Sequence, residues 1–238
     1  MHRLERDHWW FRGKRAAIAA LLDRAGVQAP GSRDLVVDVG CGTGAVLERF
    51  GAGAMAVGID DHEDALRYAR DKSGALLARS DARTLPFRTA SIDQVFLLDV
   101  AEHIPEDAAV FAEIRRVLKP TGLAIVHVPA HPRLWSPHDE AMHHVRRYTR
   151  SELEARIAEA GLAPVLLTYT FGALLLPAAA VRAWKRRGAE PAGERADFGV
   201  APAWMNGVLA GWQRIEARWL ARANLPIGVS LAAVLRPR

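Results

Sequence analysis

The densest chemistry in the chain is the run Asp38-Val39-Gly40-Cys41-Gly42-Thr43-Gly44. Three glycines at alternating positions let a backbone turn sharply and approach a ligand closely, where any Cβ would collide. Asp60 stands twenty residues beyond Gly40, and a carboxylate there could take both hydroxyls of a ribose. Asp81, in Ser80-Asp81-Ala82, could accept an exocyclic adenine amine while the neighbouring backbone N–H completes the edge. Asp99, Glu102 and His103 fall at i, i+3 and i+4, so as a helix they share one face. Two carboxylates and an imidazole could hold Mg²⁺ or Mn²⁺, but no metal is assigned to them. Residues 129–148 carry His131, His138, Asp139, His143 and His144, then Arg146, Arg147 and Tyr148. His144 and Asp139 are read as the groups that take a proton from an acceptor. Arg146, Arg147, Tyr148 and His131 are read as its holders.

These groups need a scaffold, and the hydrophobic pattern supplies one. Leu35 to Val39, Ala54 to Ile59, Ala75 to Ala78, Ile92 to Leu98, Leu123 to Val128 and Val165 to Thr170 read as strands. Helical stretches separate them: Thr43 to Phe50, a helix over His62 to Lys72 capped by Asp61, and one from Pro105 that ends near Lys119-Pro120. Thr149-Arg150-Ser151-Glu152 is a capping box that opens another helix, stopping at Gly161. Strands alternating with helices predict an α/β fold with a mostly parallel, doubly wound sheet. Loop 129–148 then lies at the carboxyl edge of the sheet, where such folds bind ligands. Trp204, Val208, Trp212, Ile215 and Trp219 form one helical stripe, read as core or interface, and 227–235 reads as a last strand.

Composition narrows the class. Half of the 238 residues are hydrophobic and a quarter charged, which excludes global disorder. One cysteine excludes a disulfide framework or a cysteine zinc site and points to a reducing, cytoplasmic setting. Residues 1–181 carry 22 basic and 23 acidic side chains, whereas 182–238 carry 10 and 4. The net charge of +5 therefore sits in the C-terminal quarter, which argues against a nucleic-acid-binding body. The uncharged stretch to Val181, followed by Arg182, Lys185, Arg186 and Arg187, makes 171–187 a candidate for peripheral contact with the inner face of a membrane. A cover over the substrate cleft and a homodimer contact are its rivals.

Spacing alone leaves two cofactors open. Gly40-x-Gly42-x-x-Ala45 also satisfies the dinucleotide pattern of a nicotinamide-dependent oxidoreductase. A catalytically silent cofactor-binding partner protein is a third reading. Downstream order separates them: Asp60, Asp81, Leu85-Pro86-Phe87, Glu102-His103 and Val117-Leu118-Lys119-Pro120-x-Gly122 follow the glycine run in turn. In these motifs the chain resembles class I S-adenosylmethionine-dependent methyltransferases across residues 8–170. The resemblance implies a Rossmann-like seven-stranded sheet with a final antiparallel strand. It implies S-adenosyl-L-methionine held by Asp38, Gly40, Cys41, Gly42 and Gly44, by Asp60 and Asp61, by Asp81 and Ala82, and by Leu98, Asp99 and His103. His8-Trp9-Trp10-Phe11 with Lys14-Arg15 is similar to the N-terminal lid helix of a subgroup, which adds Trp10 and Arg15 to that set. Leu134-Trp135-Ser136-x-x-Asp139 and His144-x-Arg146-Arg147-Tyr148-Thr149 carry the same narrower likeness. The expected organisation is a lid helix in 1–30, a cofactor-binding core in 31–170, and a helical elaboration plus final strand in 171–238. The expected acceptor is a small molecule, lipid- and glycan-linked ones included.

Overall fold

The computed structural model of the chain describes residues 8–50, 52–176 and 203–238. Seven strands form one sheet: β1 (Leu35–Val39), β2 (Met55–Asp60), β3 (Leu76–Arg79), β4 (Ile92–Leu98), β5 (Leu118–Pro129), β6 (Leu162–Thr170) and β7 (Ser230–Pro237). Their order is β3-β2-β1-β4-β5-β7-β6. The first five are mutually parallel, and β7 runs antiparallel to both β5 and β6. Strand order reverses between β1 and β4, the place where open α/β sheets leave a crevice at their carboxyl edge.

The helices are α1 (Trp9–Arg24), α2 (Ala45–Phe50), α3 (Glu63–Ser73), α4 (Asp107–Val117), α5 (Pro137–Ala141), α6 (Arg150–Glu159) and α7 (Ala203–Leu220). They cover both faces, so the central strands read as unbroken apolar runs. On β4, Val95 and Leu97 join Phe111 and Ile114 of α4 and Leu153 and Ile157 of α6 on one face. Phe96 and Leu98 turn to the other, against Ile18 and Leu22 of α1. Burying one such side chain stabilises the fold by about 1.5–3 kcal/mol, and this double layer fixes the strand ends that carry the site.

Local signals explain the boundaries. The N-cap of α1 is His8, whose Nδ1 accepts the Trp10 N–H at 3.3 Å. At α6 the expected capping box is present: Glu152 N–H donates to Thr149 Oγ1 at 3.2 Å, and Thr149 N–H to Glu152 Oε2 at 2.7 Å. Several boundaries differ from expectation. His62, not Asp61, occupies the N-cap of α3, because the Asp60 carboxylate already accepts the His62 N–H. Helix α4 ends at Val117 and Lys119-Pro120 lies inside β5, since a residue before proline is pushed out of the helical region. The last strand begins at Ser230 rather than 227: a Cβ at Gly228 would lie 2.1 Å from Thr170 O, so the backbone there is still crossing β6.

The tryptophan stripe reads from sequence as core or interface, and the structure excludes the first. Helix α7 packs on α1 with Ala210, Gln213, Glu216 and Leu220 buried, leaving Trp204, Val208, Trp212, Ile215 and Trp219 exposed. The stripe is therefore not core. Of the expected membrane-contact segment 171–187, residues 177–187 lie outside the described residues. Within its first part Phe171 is buried and Leu176 exposed. No described helix is long and apolar enough to cross a membrane.

Candidate active site

The glycine turn is built from both neighbouring strands. Gly40 and Cys41 N–H groups both donate to Ile59 O, at 2.7 and 3.0 Å. Asp60 then holds the turn from the side: Oδ2 accepts Gly42 N–H at 2.9 Å, and Oδ1 accepts His62 N–H at 2.9 Å. Gly40, Gly42 and Gly44 have φ of 73°, 51° and 84°, the left-handed region in which an L side chain is strained. The first two glycines have different neighbours. A Cβ on Gly40 would meet Val100 Cγ2 at 2.3 Å, whereas one on Gly42 would meet nothing within 4 Å. The space over Gly42 is open to a ligand.

Asp38 lies beneath this turn, 2% exposed, and its Oδ2 has no hydrogen-bond partner. Burial, only partly offset by Lys14 and reinforced by Asp60, pushes its carboxyl up to about 8. An unsatisfied buried carboxylate is costly unless a donor or a cation completes it. Cys41 has no such role on view. Its thiol is pushed up, first by burial and then by Asp38, and it packs with Leu47 and Leu66.

Asp81 is half-exposed and chelated by Arg83, with Nε at 3.0 Å from Oδ1 and Nη2 at 2.6 Å from Oδ2. Arg83 holds the Asp81 carboxyl below the usual carboxylate range and also reaches Glu106 at 2.6 Å. Ala82, next in the chain, and Leu98, the last residue of β4, are buried, and Asp61 is an exposed partner of His62.

The end of β4 separates what spacing had grouped. Asp99 takes φ 58°, so its side chain leaves the line of the following turn. It accepts Lys14 Nζ at 2.7 Å and bonds His127 Nδ1 at 2.6 Å, while His127 Nε2 lies 3.2 Å from Thr170 Oγ1. Burial alone would raise the Asp99 carboxyl, but Lys14 and His127 overcome it and hold the group well below the usual range. Glu102 and His103, on the 3₁₀ turn Ala101–His103, instead converge with His144, their candidate ligand atoms all within 4.8 Å. The expected Asp99/Glu102/His103 face does not form. Glu102 is 1% exposed, and its carboxyl is raised by burial and then by Asp99.

In the loop after β5, Asp139 is fully buried and organises its surroundings. It accepts Ser136 N–H at 2.9 Å and Arg147 Nε at 2.6 Å, and bonds His144 Nδ1 at 3.0 Å. Arg147 also donates to Ala130 O, at 3.1 Å. Arg146 donates to Pro105 O at 2.6 Å and pairs with Asp107 at 2.8 Å. The buried Tyr148 hydroxyl donates to the same Asp107 at 2.8 Å. The expected acceptor holders are thus occupied by partners within the chain. His131 stacks on Tyr169, with ring centroids 5.2 Å apart. Trp10 stacks on Phe171 at 4.1 Å, and Arg15 is half-buried on α1.

His127, Thr170 and Arg83 were not picked out from sequence. His127 had a signal, being the lone ionisable side chain in the apolar run Leu123 to Val128.

Residues 37–126 match the family described as methyltransferase domain. Among curated proteins, the chain is 31% identical over 147 residues to a trans-aconitate 2-methyltransferase of Azoarcus, covering 60% of this chain and 55% of that one. It is 32% identical over 117 residues to a sterol 24-C-methyltransferase of Eremothecium gossypii, covering 45% of this chain and 30% of that one. The chain thus spans less than two thirds of either relative. Among solved structures, an S-adenosylmethionine-dependent methyltransferase of Thermotoga maritima superimposes with a TM-score of 0.61 at 15% identity, covering 100% of this chain and 96% of that one. Sheet order, glycine turn and domain match agree: residues 37–126 form a methyltransferase domain, in a chain with the fold of class I S-adenosylmethionine-dependent methyltransferases. This decides between the two cofactors that motif spacing had left open.

Proposed function

We propose that the chain transfers a methyl group from S-adenosyl-L-methionine to a small-molecule acceptor. One observation carries the reading: an open left-handed glycine turn stapled by Asp60 above a buried, partnerless Asp38 oxygen, at the switch point of the sheet. When bound, the cofactor supplies an electrophilic methyl group on a cationic sulfonium. Asp38 would complete its hydrogen bonding against the cationic end, and Gly40 to Gly44 would lie along it without steric conflict. Asp60 keeps a lone pair on each oxygen for ribose hydroxyls after its two backbone bonds. Asp81 would share its carboxylate between Arg83 and the adenine amine. Helix α1, tied to Asp99 through Lys14, would close over the site with Trp10.

For an acceptor that must lose a proton, His144 is the proposed base. Its Nδ1 faces the buried Asp139 carboxylate at 3.0 Å, which leaves Nε2 for the acceptor. Asp139 is then a positioning residue. A second His/Asp pair, His127 with Asp99, is excluded from this role because both His127 ring nitrogens are engaged and the side chain is fully buried.

Calorimetry with S-adenosylhomocysteine and with a reduced nicotinamide dinucleotide tests the cofactor assignment. Binding of the first alone is expected, and binding of the second alone sinks the reading. Given an acceptor found with labelled cofactor, His144→Gln should lower kcat by about 10²–10⁴ with KM and cofactor affinity little changed. An unchanged kcat removes His144 from the mechanism.

A further inference from the structure

The tryptophan stripe on α7, read from sequence as core or interface, is exposed. Trp204 is 72% exposed, Trp212 52% and Trp219 58%, with Val208 and Ile215 between them at similar levels. Five large apolar side chains on one face of one helix are more than the scattered exposure ordinary on a surface. The opposite face is fully used. Ala210, Gln213 and Leu220 are buried, and Gln213 crosses so near α1 that a Cβ on Gly13 would meet its Cγ at 2.8 Å. Trp9 N–H donates to Asn206 Oδ1 at 2.8 Å, and Glu216 accepts Phe171 and Gly172 N–H groups. Helix α7 is thus held firmly against the fold while its stripe points away from it.

Charge selects the occupant. Arg214 and Arg218 are exposed and, by helical spacing, run along one flank of the stripe, and Arg222 is exposed in the turn just past the helix. The one acidic residue between 203 and 238 is Glu216, buried on the opposite face. Among the described residues from 203 onward, the face therefore presents three cations, three indole rings and no anion. A second copy docking by two-fold symmetry would bring two such arginine rows together. An anionic bilayer surface complements both features: indoles settle at the headgroup level and arginine stems extend along apolar surface to reach phosphates.

We infer that the Trp204/Trp212/Trp219 face of α7, with Arg214, Arg218 and Arg222, docks this protein on anionic lipid surfaces. The docking is peripheral and independent of cofactor. Because α7 packs directly on α1, it would bring the mouth of the site close to the headgroups.

The test is co-sedimentation of the full chain with phosphatidylcholine vesicles holding about 30% phosphatidylglycerol, against pure phosphatidylcholine, at low and high salt. Binding to the anionic vesicles that weakens with salt is expected. The triple change Trp204→Ser, Trp212→Ser, Trp219→Ser should weaken it by about tenfold or more, as should Arg214→Gln, Arg218→Gln, Arg222→Gln. Trp212→Glu alone is the milder variant if the triple fails to fold, and unchanged S-adenosylhomocysteine affinity reports an intact fold. Absence of vesicle binding, or binding that the α7 variants leave intact, overturns the inference. So does loss of binding only when Arg182, Lys185, Arg186 and Arg187 become Gln. A concentration-dependent dimer abolished by the tryptophan variants, without vesicle binding, assigns the face to a second copy instead.

Discussion

Lys14 Nζ lies 2.7 Å from Asp99 Oδ2, joining the first described helix to the end of the fourth strand across 85 residues of sequence. The pair is more than two-thirds buried on both sides, so it is screened less than a surface pair. Lys14→Met should lower stability by about 1–3 kcal/mol, because Asp99 keeps its charge and loses a partner. Asp99→Asn in the same chain should recover part of that loss. A double-mutant cycle in urea with no coupling between the two positions would show that the pair does not hold α1 down.

Gly40 and Gly42 differ in what surrounds them, and substitution should separate fold from ligand. Gly40→Ala forces a Cβ against Val100, at about 1–3 kcal/mol for overpacking beyond its left-handed strain. Its denaturation midpoint should fall whether or not ligand is present. Gly42→Val keeps the protein contacts and pays mainly the left-handed penalty, about 1–2 kcal/mol. It should stay folded while S-adenosylhomocysteine affinity drops beyond measurement in calorimetry. Equal binding by this variant and wild type would place the ligand elsewhere.

Asp38 makes stability depend on pH in a set direction. Its folded carboxyl is raised to about 8 from an ordinary 3.8, so the native chain holds a proton that the unfolded chain releases. This contribution is complete below about pH 4 and is lost as pH rises toward 8. Asp38→Asn mimics the protonated form. It should match wild type in thermal midpoint near pH 4 and exceed it near pH 8, with cofactor absent. A difference constant across that interval rules out Asp38 as the titrating group.

Glu102, His103 and His144 bring three ligand atoms within 4.8 Å of one another. Burial disfavours the charged forms of Glu102 and His103 alike. Methyl transfer is expected to be insensitive to EDTA. Loss of turnover in chelator with recovery on adding Mg²⁺ or Mn²⁺ would make these three residues a cation site.

The sheet and the glycine turn were legible because their signals are local. Apolar runs of five to seven residues and glycines at alternating positions need no knowledge of the rest of the fold. The acceptor side was not, because its side chains are apportioned by tertiary partners. Arg146, Arg147 and Tyr148 look available in a row of sequence, yet Asp107, Asp139 and Ala130 take them. A single left-handed residue at Asp99 parts it from Glu102 and His103, and helical spacing gives no warning of that. The α7 stripe has the same amphipathic period whether it meets core or solvent, so periodicity located the face and left its neighbour open.

The position of β7 has a consequence for synthesis. This strand, residues 230–237, lies between β5 and β6, and among the described residues β6 has no other strand beside it. While a ribosome is still adding residues before 230, β6 is an edge without a template, and the outer side of β5 is bare along 124–129. Closure must wait for a segment made about sixty residues after β6, a slow, long-range step during which two exposed strands invite intermolecular pairing. Nascent chains stalled ahead of residue 230 should remain sensitive to protease across β6 and gain protection once β7 has cleared the exit tunnel.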